Sequence, residues 1–281
     1  MPEILHSSET LSACPICRQK EFTKVYEPDI VKCKGCLTLF RNPRPSQKDI
    51  ADSYNAGTTY AHWQNEEKNF DALWSRRRDF ISKLKSTGKL LDIGAGDGRF
   101  LKKMMDKSFE VTGTEISATG SNLACSRGLN LRIGQFTDLE FKTDTFDIIT
   151  LWHVLEHVPN PGEVMKKAVS LLATEGILII AVPNEAHSIW KYRLGFSRRK
   201  SPFDPLYQGG EIHLTHFTPL TLRNLVKSNR LTVRSFEVDD FYPDHGLINR
   251  TKIGLYQAMS LSFGWHPAAA MLSVCSKSDI R

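Results

Sequence analysis

The stretch KLLDIGAGDGRF, Lys89–Phe100, decides how the chain is read. An apolar run through Leu90, Leu91 and Ile93 enters Gly94-Ala95-Gly96-Asp97-Gly98, and the helical pattern RFLKKMMDK follows. Strand, glycine turn and helix in that order let the backbone turn tightly and come close to a ligand lying over the strand end. Asp92 precedes the loop, and Glu115 closes the next strand, EVTGTE, 21 residues after Gly94. An acid at that place can accept hydrogen bonds from ribose hydroxyls. A dinucleotide site expects G-x-G-x-x-G, but here the third glycine comes one residue early and Arg99 stands in the next place.

The pattern alternates on either side of this unit. SATGSNLACSRG reads as a helix, LNLRIGQF as a strand, FDIITLW as a buried strand and PGEVMKKAVSLL as a helix opened by Pro161. GILIIAVPN is a strand, TPLTLRNLVKSN a helix capped by Thr218, and LTVRSFEV and AAAMLSVCSK are the closing strands. Such β-α alternation predicts a doubly wound, mostly parallel α/β sheet with helices on both faces. Ahead of it, Phe70, Leu73, Trp74, Phe80, Ile81 and Leu84 recur at helical spacing, so one helix is expected to pack onto the sheet and end near Gly88.

At these residues the chain resembles the class I S-adenosylmethionine-dependent methyltransferases, from about Gly88 to the C-terminus, with LDIGAGDGRF the most specific motif. The resemblance implies a Rossmann-like sheet of seven strands and S-adenosyl-L-methionine as cofactor. It implies that Asp92, Gly94, Ala95, Gly96 and Gly98 hold the methionine part and that Glu115 binds the ribose. Ile116, Gln135, Phe136 and Trp152 join them as expected cofactor contacts, with Gln135 and Phe136 flanking the adenine. Many relatives carry an acid where this chain has Gln135. FDIITLWHVLEHVPNP and HLTHFTPLTLRNLV resemble the branch of ubiquinone-type O-methyltransferases and sugar methyltransferases. An N-terminal zinc ribbon recurs in sugar-modifying relatives and in some ribosomal RNA guanine methyltransferases.

The N-terminal segment fits that ribbon on its own spacing. Cys14, Cys17, Cys33 and Cys36 form C-x2-C-x15-C-x2-C. Thiolates two residues apart can share one tight turn, and two such turns give closed S4 coordination of a structural zinc. The expected organisation is a ribbon over 1–45, a helical linker or cover over 46–88 and a methyltransferase domain over 89–281 with cover insertions at 185–215 and 239–265. The ribbon is expected to be a separate module. Ser46 looks like a helix cap ahead of QKDIADSY.

Of the 281 residues, 41% are hydrophobic and 24% charged, the composition of a globular chain. MPEILHSSETLSACP has neither a basic start nor an apolar core, so a cytoplasmic protein is expected. The net charge of +6 permits an anionic partner without demanding nucleic acid. Between Cys14 and Cys36, five lysines and arginines face three acids, a weak footprint for RNA.

Three stretches bear on the methyl acceptor. WHVLEHVPNP, Trp152–Pro161, leaves the carboxyl end of a strand, where ligands bind in this architecture. Its His153, with an unshifted pKa near ~6.5, is the expected general base. Glu156 and His157 are expected to satisfy loop backbone. The resemblance to ubiquinone-type relatives also allows a divalent ion at Glu156 and His157, but an imidazole at 153, where those relatives often carry an acid, weakens such a hard-metal site. YNAGTTYAHW supplies Tyr54, Tyr60 and Trp63. SIWKYRLGFSRRKSPFDPLYQGGEIHLTHF sets Lys191, Arg193, Arg198, Arg199 and Lys200 among aromatics. Three readings suit that basic run: an anionic acceptor, a membrane surface or a solvated loop. His213 follows it as a second catalytic candidate, with His216 beside it. The leading expectation is a small-molecule methyltransferase acting on a sugar, nucleotide-sugar or quinone-like compound. The alternatives are an RNA methyltransferase and a non-catalytic cofactor-binding regulator.

Overall fold

A computed structural model describes residues 8–27, 29–46, 49–50, 52, 67–196, 201–203, 212–239, 251, 254–256, 258–259 and 267–278. Tyr54, Tyr60, Trp63, Arg198, Arg199 and Lys200 lie outside the described residues, as does most of the segment 239–265.

Thirteen strands are described. They are β1 (Ser8–Glu9), β2 (Phe22–Tyr26), β3 (Ile30–Cys33), β4 (Leu39–Arg41), β5 (Arg44–Pro45), β6 (Gly88–Ile93), β7 (Phe109–Glu115), β8 (Arg132–Ile133), β9 (Phe146–Trp152), β10 (Leu172–Pro183), β11 (Thr215–His216), β12 (Leu231–Val238) and β13 (Ala270–Lys277). Helices whose bounds lie among the described residues are α1 (Glu67–Leu84), α2 (Arg99–Met105), α3 (Ala118–Ser126), α4 (Pro161–Leu171), α5 (Glu185–Arg193) and α6 (Pro219–Ser228).

Seven strands form the main sheet in the order β12-β13-β10-β9-β6-β7-β8. β10, β9, β6, β7 and β8 run parallel, and β13 is antiparallel to both of its neighbours. This is the seven-stranded Rossmann-like sheet of the class I methyltransferases. Strand order reverses between β6 and β9, so a crevice opens at their carboxyl ends. Side chains alternate across the sheet with period two. Leu91, Ile93, Ile149, Leu151, Leu178 and Ile180 face one core, which α4 and α6 cover with Val164, Met165, Leu222 and Leu225. Leu90, Ile148, Trp152, Ile177 and Ile179 face the other, covered by Ile81 of α1 and by Phe100, Leu101 and Met104 of α2. Each fully buried aliphatic or aromatic side chain contributes about 1.5–3 kcal/mol relative to exposure.

α5 was not expected within the segment read as a cover. Asn184 caps it, its side chain accepting from the amide of Ala186 at 3.2 Å, with Glu185 in the first turn. Aromatic and basic residues in the same stretch obscured that start signal. The strand expected over LNLRIGQF shrinks to β8 and a 3-10 turn at Phe136–Asp138.

The two CxxC turns are built alike. Arg18 and Leu37, each just after its second cysteine, adopt φ of 64°. Their amides return to the carbonyls of Cys14 and Cys33 at 3.0 and 3.1 Å. This left-handed closure is uncommon for residues with a Cβ, and it brings both cysteine pairs toward one point.

The ribbon is not the separate module its spacing suggested. Its sheet, in the order β11-β4-β3-β2, takes its edge strand from the methyltransferase half. Thr215 pairs with Phe40 and His216 with Leu39. The amide of Arg41 bonds the carbonyl of Leu214 at 2.9 Å, and Nη1 of Arg44 bonds the carbonyl of Pro159 at 2.6 Å. Cys14, Ile16, Val31, Cys33 and Phe40 belong to the same apolar core as Leu91 and Val164. Two short apolar segments far apart in sequence bury more surface together than either can alone.

Gly162 in α4 packs directly on this ribbon, where an added Cβ would lie 2.5 Å from the carbonyl oxygen of Ile16. Glycine to alanine ordinarily gains about 0.5–1 kcal/mol inside a helix. Here Gly162→Ala should instead destabilise the chain by about 1–3 kcal/mol, because backbone must move. Thermal melting tests this, and a Tm at or above that of the parent chain would contradict the packing.

Candidate active site

The register of β6 on β9 sets Asp92 opposite Thr150 and Ile93 opposite Leu151. Thr150 Oγ1 therefore donates to Asp92 Oδ1 at 2.7 Å. Asp92 is buried. Burial pushes its carboxyl up to about 7, against the pull of Thr150 and the Arg77 guanidinium. A ligand cation beside it would favour its charged form.

Gly94, Gly96 and Gly98 all have positive φ, as the expected turn requires. A Cβ on Gly98, whose φ is 76°, would lie 2.6 Å from Leu129 and 2.9 Å from Ala124, so glycine also lets the loop settle on α3. Ala95 is anchored by its amide to the carbonyl of Thr114 at 2.8 Å. Glu115 is buried at the end of β7, where Oε2 accepts from the amide of Gly96 and Oε1 from that of Ser117, both at 2.8 Å. A carboxylate oriented this way keeps lone pairs for two vicinal hydroxyls. These residues fit the ribose and methionine ends of S-adenosylmethionine. Ile116, partly exposed beside Glu115, and Gln135, partly exposed ahead of the 3-10 turn, remain at the rim. The ring of Phe136 is buried against Phe141 with Lys167 over it, so that position offers an adenine mainly its backbone. Trp152 is a core side chain, 5.6 Å from Phe100 in a T-shaped contact, and its Nε1 has no hydrogen bond among the described residues.

His153 stands at the end of β9 with φ 56°, its amide tied to the carbonyl of Ala181 at 2.9 Å. The expected unshifted imidazole is corrected here. Nε2 lies 2.7 Å from Asp239 Oδ2, and Nδ1 lies 3.2 Å from Glu156 Oε1. Burial opposes its charge, but the two carboxylates outweigh burial and raise it to about 9. His153 is therefore an imidazolium at neutral pH, unsuited to take a proton. The oxygen of Asp239 that meets His153 also accepts from Arg77 Nη2 at 3.0 Å. Arg77 in turn lies over the rings of Trp74 and Trp152 at 4.9 and 4.3 Å. Burial would raise the Asp239 carboxyl, yet Arg77 and His153 hold it below the usual range. Neither Arg77 nor Asp239 was legible beforehand. Arg77 reads as one of three arginines on a helix surface, and Asp239 lies 162 residues away from it.

A second cluster adjoins the first. His157 Nδ1 bonds the carbonyl of Ile212 at 2.9 Å, and its ring lies 4.8 Å from that of His213. His216 Nδ1 lies 3.3 Å from Glu185 Oε1. Burial, helped by His157, pushes His213 down to about 4, so its imidazole is neutral. The structure thus brings both catalytic candidates to the carboxyl ends of the strands but gives them opposite charge states. The His157 side chain thus meets loop backbone, whereas the Glu156 carboxylate faces His153 and only its main-chain carbonyl accepts from the amides of Leu214 and Thr215, at 2.7 and 3.1 Å.

In the ribbon, Cys14 and Cys36 sulfurs lie 3.6 Å apart and those of Cys17 and Cys33 3.5 Å apart. All four sulfurs lie within 4.8 Å of one another. Sulfurs at about 2.3 Å from a tetrahedral zinc stand roughly 3.8 Å apart. The set fits a structural zinc, bound through four thiolates with no open position.

Sheet order, glycine loop and paired acids define a class I S-adenosylmethionine-dependent methyltransferase. The methyltransferase domain family matches residues 60–235, and the chain belongs to that family. The chain is similar to the ubiquinone biosynthesis O-methyltransferase of Glaesserella parasuis, 36% identical over 34% of this chain and 45% of that protein. It is similar to the enzyme of the same name from Aeromonas salmonicida, 26% identical over 59% of this chain and 71% of that protein. The match therefore spans less than half of the first relative's length. Among solved structures, the 1,6-didemethyltoxoflavin-N1-methyltransferase of Burkholderia thailandensis aligns with a TM-score of 0.55 at 15% identity, over 90% of this chain and 100% of that one. A methyltransferase from Archaeoglobus fulgidus aligns with a TM-score of 0.51 at 17% identity, over 73% and 92%. At those identities the likeness is one of fold.

The His153 geometry has a measurable consequence. Its ring resonances should titrate near 9, and Asp239→Asn should move them down toward the ordinary histidine range. Because the folded value lies above the unfolded one, this histidine's stabilisation is full below about 6.5 and fades as pH rises through about 9. Asp239→Asn should also cost about 3–5 kcal/mol, since it leaves Arg77 and His153 buried without their shared anion. A resonance that titrates near 6.5 in the parent chain would refute the pairing.

Proposed function

We propose that the chain transfers the methyl group of S-adenosylmethionine to a small-molecule acceptor. The observation that carries this reading is the Glu115 carboxylate, buried and aimed by the amides of Gly96 and Ser117 beside the Asp92 loop. The cofactor supplies a methyl group activated on a sulfonium sulfur. The chain's part is to bind its ends, exclude water and align the acceptor, and alignment alone is worth about 7–11 kcal/mol. Asp92 takes the methionine ammonium and Glu115 the ribose hydroxyls. Where the acceptor atom must lose a proton, that proton passes to the cluster around His213. His153, with both ring nitrogens turned to the Asp239 and Glu156 carboxylates, instead holds the strand end in place.

The acceptor class we favour is a sugar, nucleotide-sugar or quinone-like compound. Motifs shared with the ubiquinone O-methyltransferases support the small-molecule reading. The ribbon supports it too, since Lys24 pairs with Glu27 at 2.8 Å and Lys34 with Glu21 at 3.2 Å, leaving less charge for an RNA backbone. No helix among the described residues is long and apolar enough to cross a membrane. A reducing, cytoplasmic setting suits four thiols acting as zinc ligands.

Calorimetry with S-adenosylmethionine tests the cofactor half. Asp92 sits near 7 in the ligand-free chain, and a bound ammonium favours its ionised form. Affinity should therefore rise as pH rises through about 7, and binding at a pH one unit lower should release about one proton. Asp92→Asn should remove that pH dependence. Saturable NADH binding with no response to S-adenosylmethionine would overturn the assignment. With isotopically labelled methyl, label should enter sugar-nucleotide or quinol fractions, and His213→Ala should cut turnover by about 10²-fold with cofactor affinity unchanged. Label found in RNA alone would defeat the small-molecule reading.

A further inference from the structure

Three donors meet where the ribbon joins the large sheet. Glu185 opens α5 two residues after β10 ends, His216 lies on β11, and His213 immediately precedes that strand's approach. One ligand atom from each lies within 4.8 Å of the others. The Glu185 Oε1 to His216 Nδ1 distance is 3.3 Å. That is long for a charge-assisted hydrogen bond, which is typically about 2.7–2.9 Å. It matches the roughly 3.3 Å between two ligands that each stand about 2.0–2.1 Å from a tetrahedral zinc.

The donors are held from behind. The amide of Glu185 bonds the carbonyl of Phe217 at 2.8 Å. His216 is paired with Leu39 of β4, and its ring lies 4.5 Å from that of Phe203. Both side chains are buried. His213 is only partly buried and gives an ion its way in.

We propose that Glu185, His213 and His216 form a second metal site, separate from the four cysteines, that takes a zinc-class divalent cation. Two imidazoles and one carboxylate suit zinc or cobalt better than magnesium or calcium, which prefer all-oxygen shells. Three protein ligands leave the fourth position open, the arrangement of catalytic rather than structural sites. Glu156, His157 and His213 form a neighbouring trio, but Glu156 is already the ion-pair partner of His153. The ion's use rests on the methyltransferase reading: in the open position it would bind an acceptor oxygen and make its proton easier to lose, and that proton would pass to solvent, since a ligating His213 could not take it. Its binding does not depend on that reading.

The test is a titration of the purified chain, zinc already in the ribbon, with cobalt(II) followed by absorption. A second equivalent should bind with weak d–d bands and without the intense sulfur charge-transfer band that exchange into the cysteine site would give. Glu185→Gln and His216→Ala should each weaken that equivalent by more than the ~10–100-fold typical of losing a supporting partner. Their affinity for S-adenosylmethionine, measured in parallel, should stay at the parent value, which verifies folding. Cobalt binding in a parent chain that ignores S-adenosylmethionine would uphold the site while removing its role in methyl transfer. Binding limited to the ribbon's single equivalent would overturn the proposal. So would a second equivalent that survives both variants and disappears in Glu156→Gln.

Discussion

The parallel pairing of β6 with β9 is the contact on which the site depends. It is the place where strand order reverses, so the two strands diverge in their connections and leave a crevice beyond their carboxyl ends. The glycine loop leaves one strand there and the His153 loop leaves the other. Their register also sets the chemistry, because it puts the Thr150 hydroxyl on the Asp92 carboxylate and leaves that acid buried with an incomplete counter-charge. A one-residue slip would turn every core side chain of β9 to the wrong face.

The second organising contact is the short pairing of β11 with β4. Only two residues pair on each side, yet they tie the ribbon to the segment carrying His213 and His216. Zinc in the ribbon then has a wider effect than holding two turns together. The turns present Ile16 to α4, and β4 presents its edge to β11, so the cysteine turns, the ribbon sheet and the segment carrying His213 and His216 share one support. Folding free energy from a structural zinc is large.

The charged interior follows a consistent logic. Arg77, Asp239, His153 and Glu156 alternate in sign along one chain of contacts. A buried ion is costly alone and tolerable when each neighbour carries the opposite charge. His153 makes both contacts from a residue whose φ is positive, 56°.

Much was readable along the chain because its causes are local. Continuous apolar runs such as GILIIAV and helical repeats such as EVMKKAVSLL mark their own elements. Glycines at 94, 96 and 98 mark positive φ, and CPIC and CKGC mark metal-binding turns. Asp92 and Glu115 were legible because each sits at a strand end next to its loop. The charge on His153 was not legible, since a pKa is set by burial and by partners, and one partner lies 86 residues on. The same holds for Arg77 between two tryptophans, for the junction of ribbon and sheet, and for the meeting of Glu185 with His216. The sequence by itself determined most elements of the large sheet, the glycine loop and the four-cysteine spacing, because local pattern along the backbone dictates them. Tertiary structure alone decided which histidine carries charge and which donors face one another, because those depend on distances across space that no local pattern encodes.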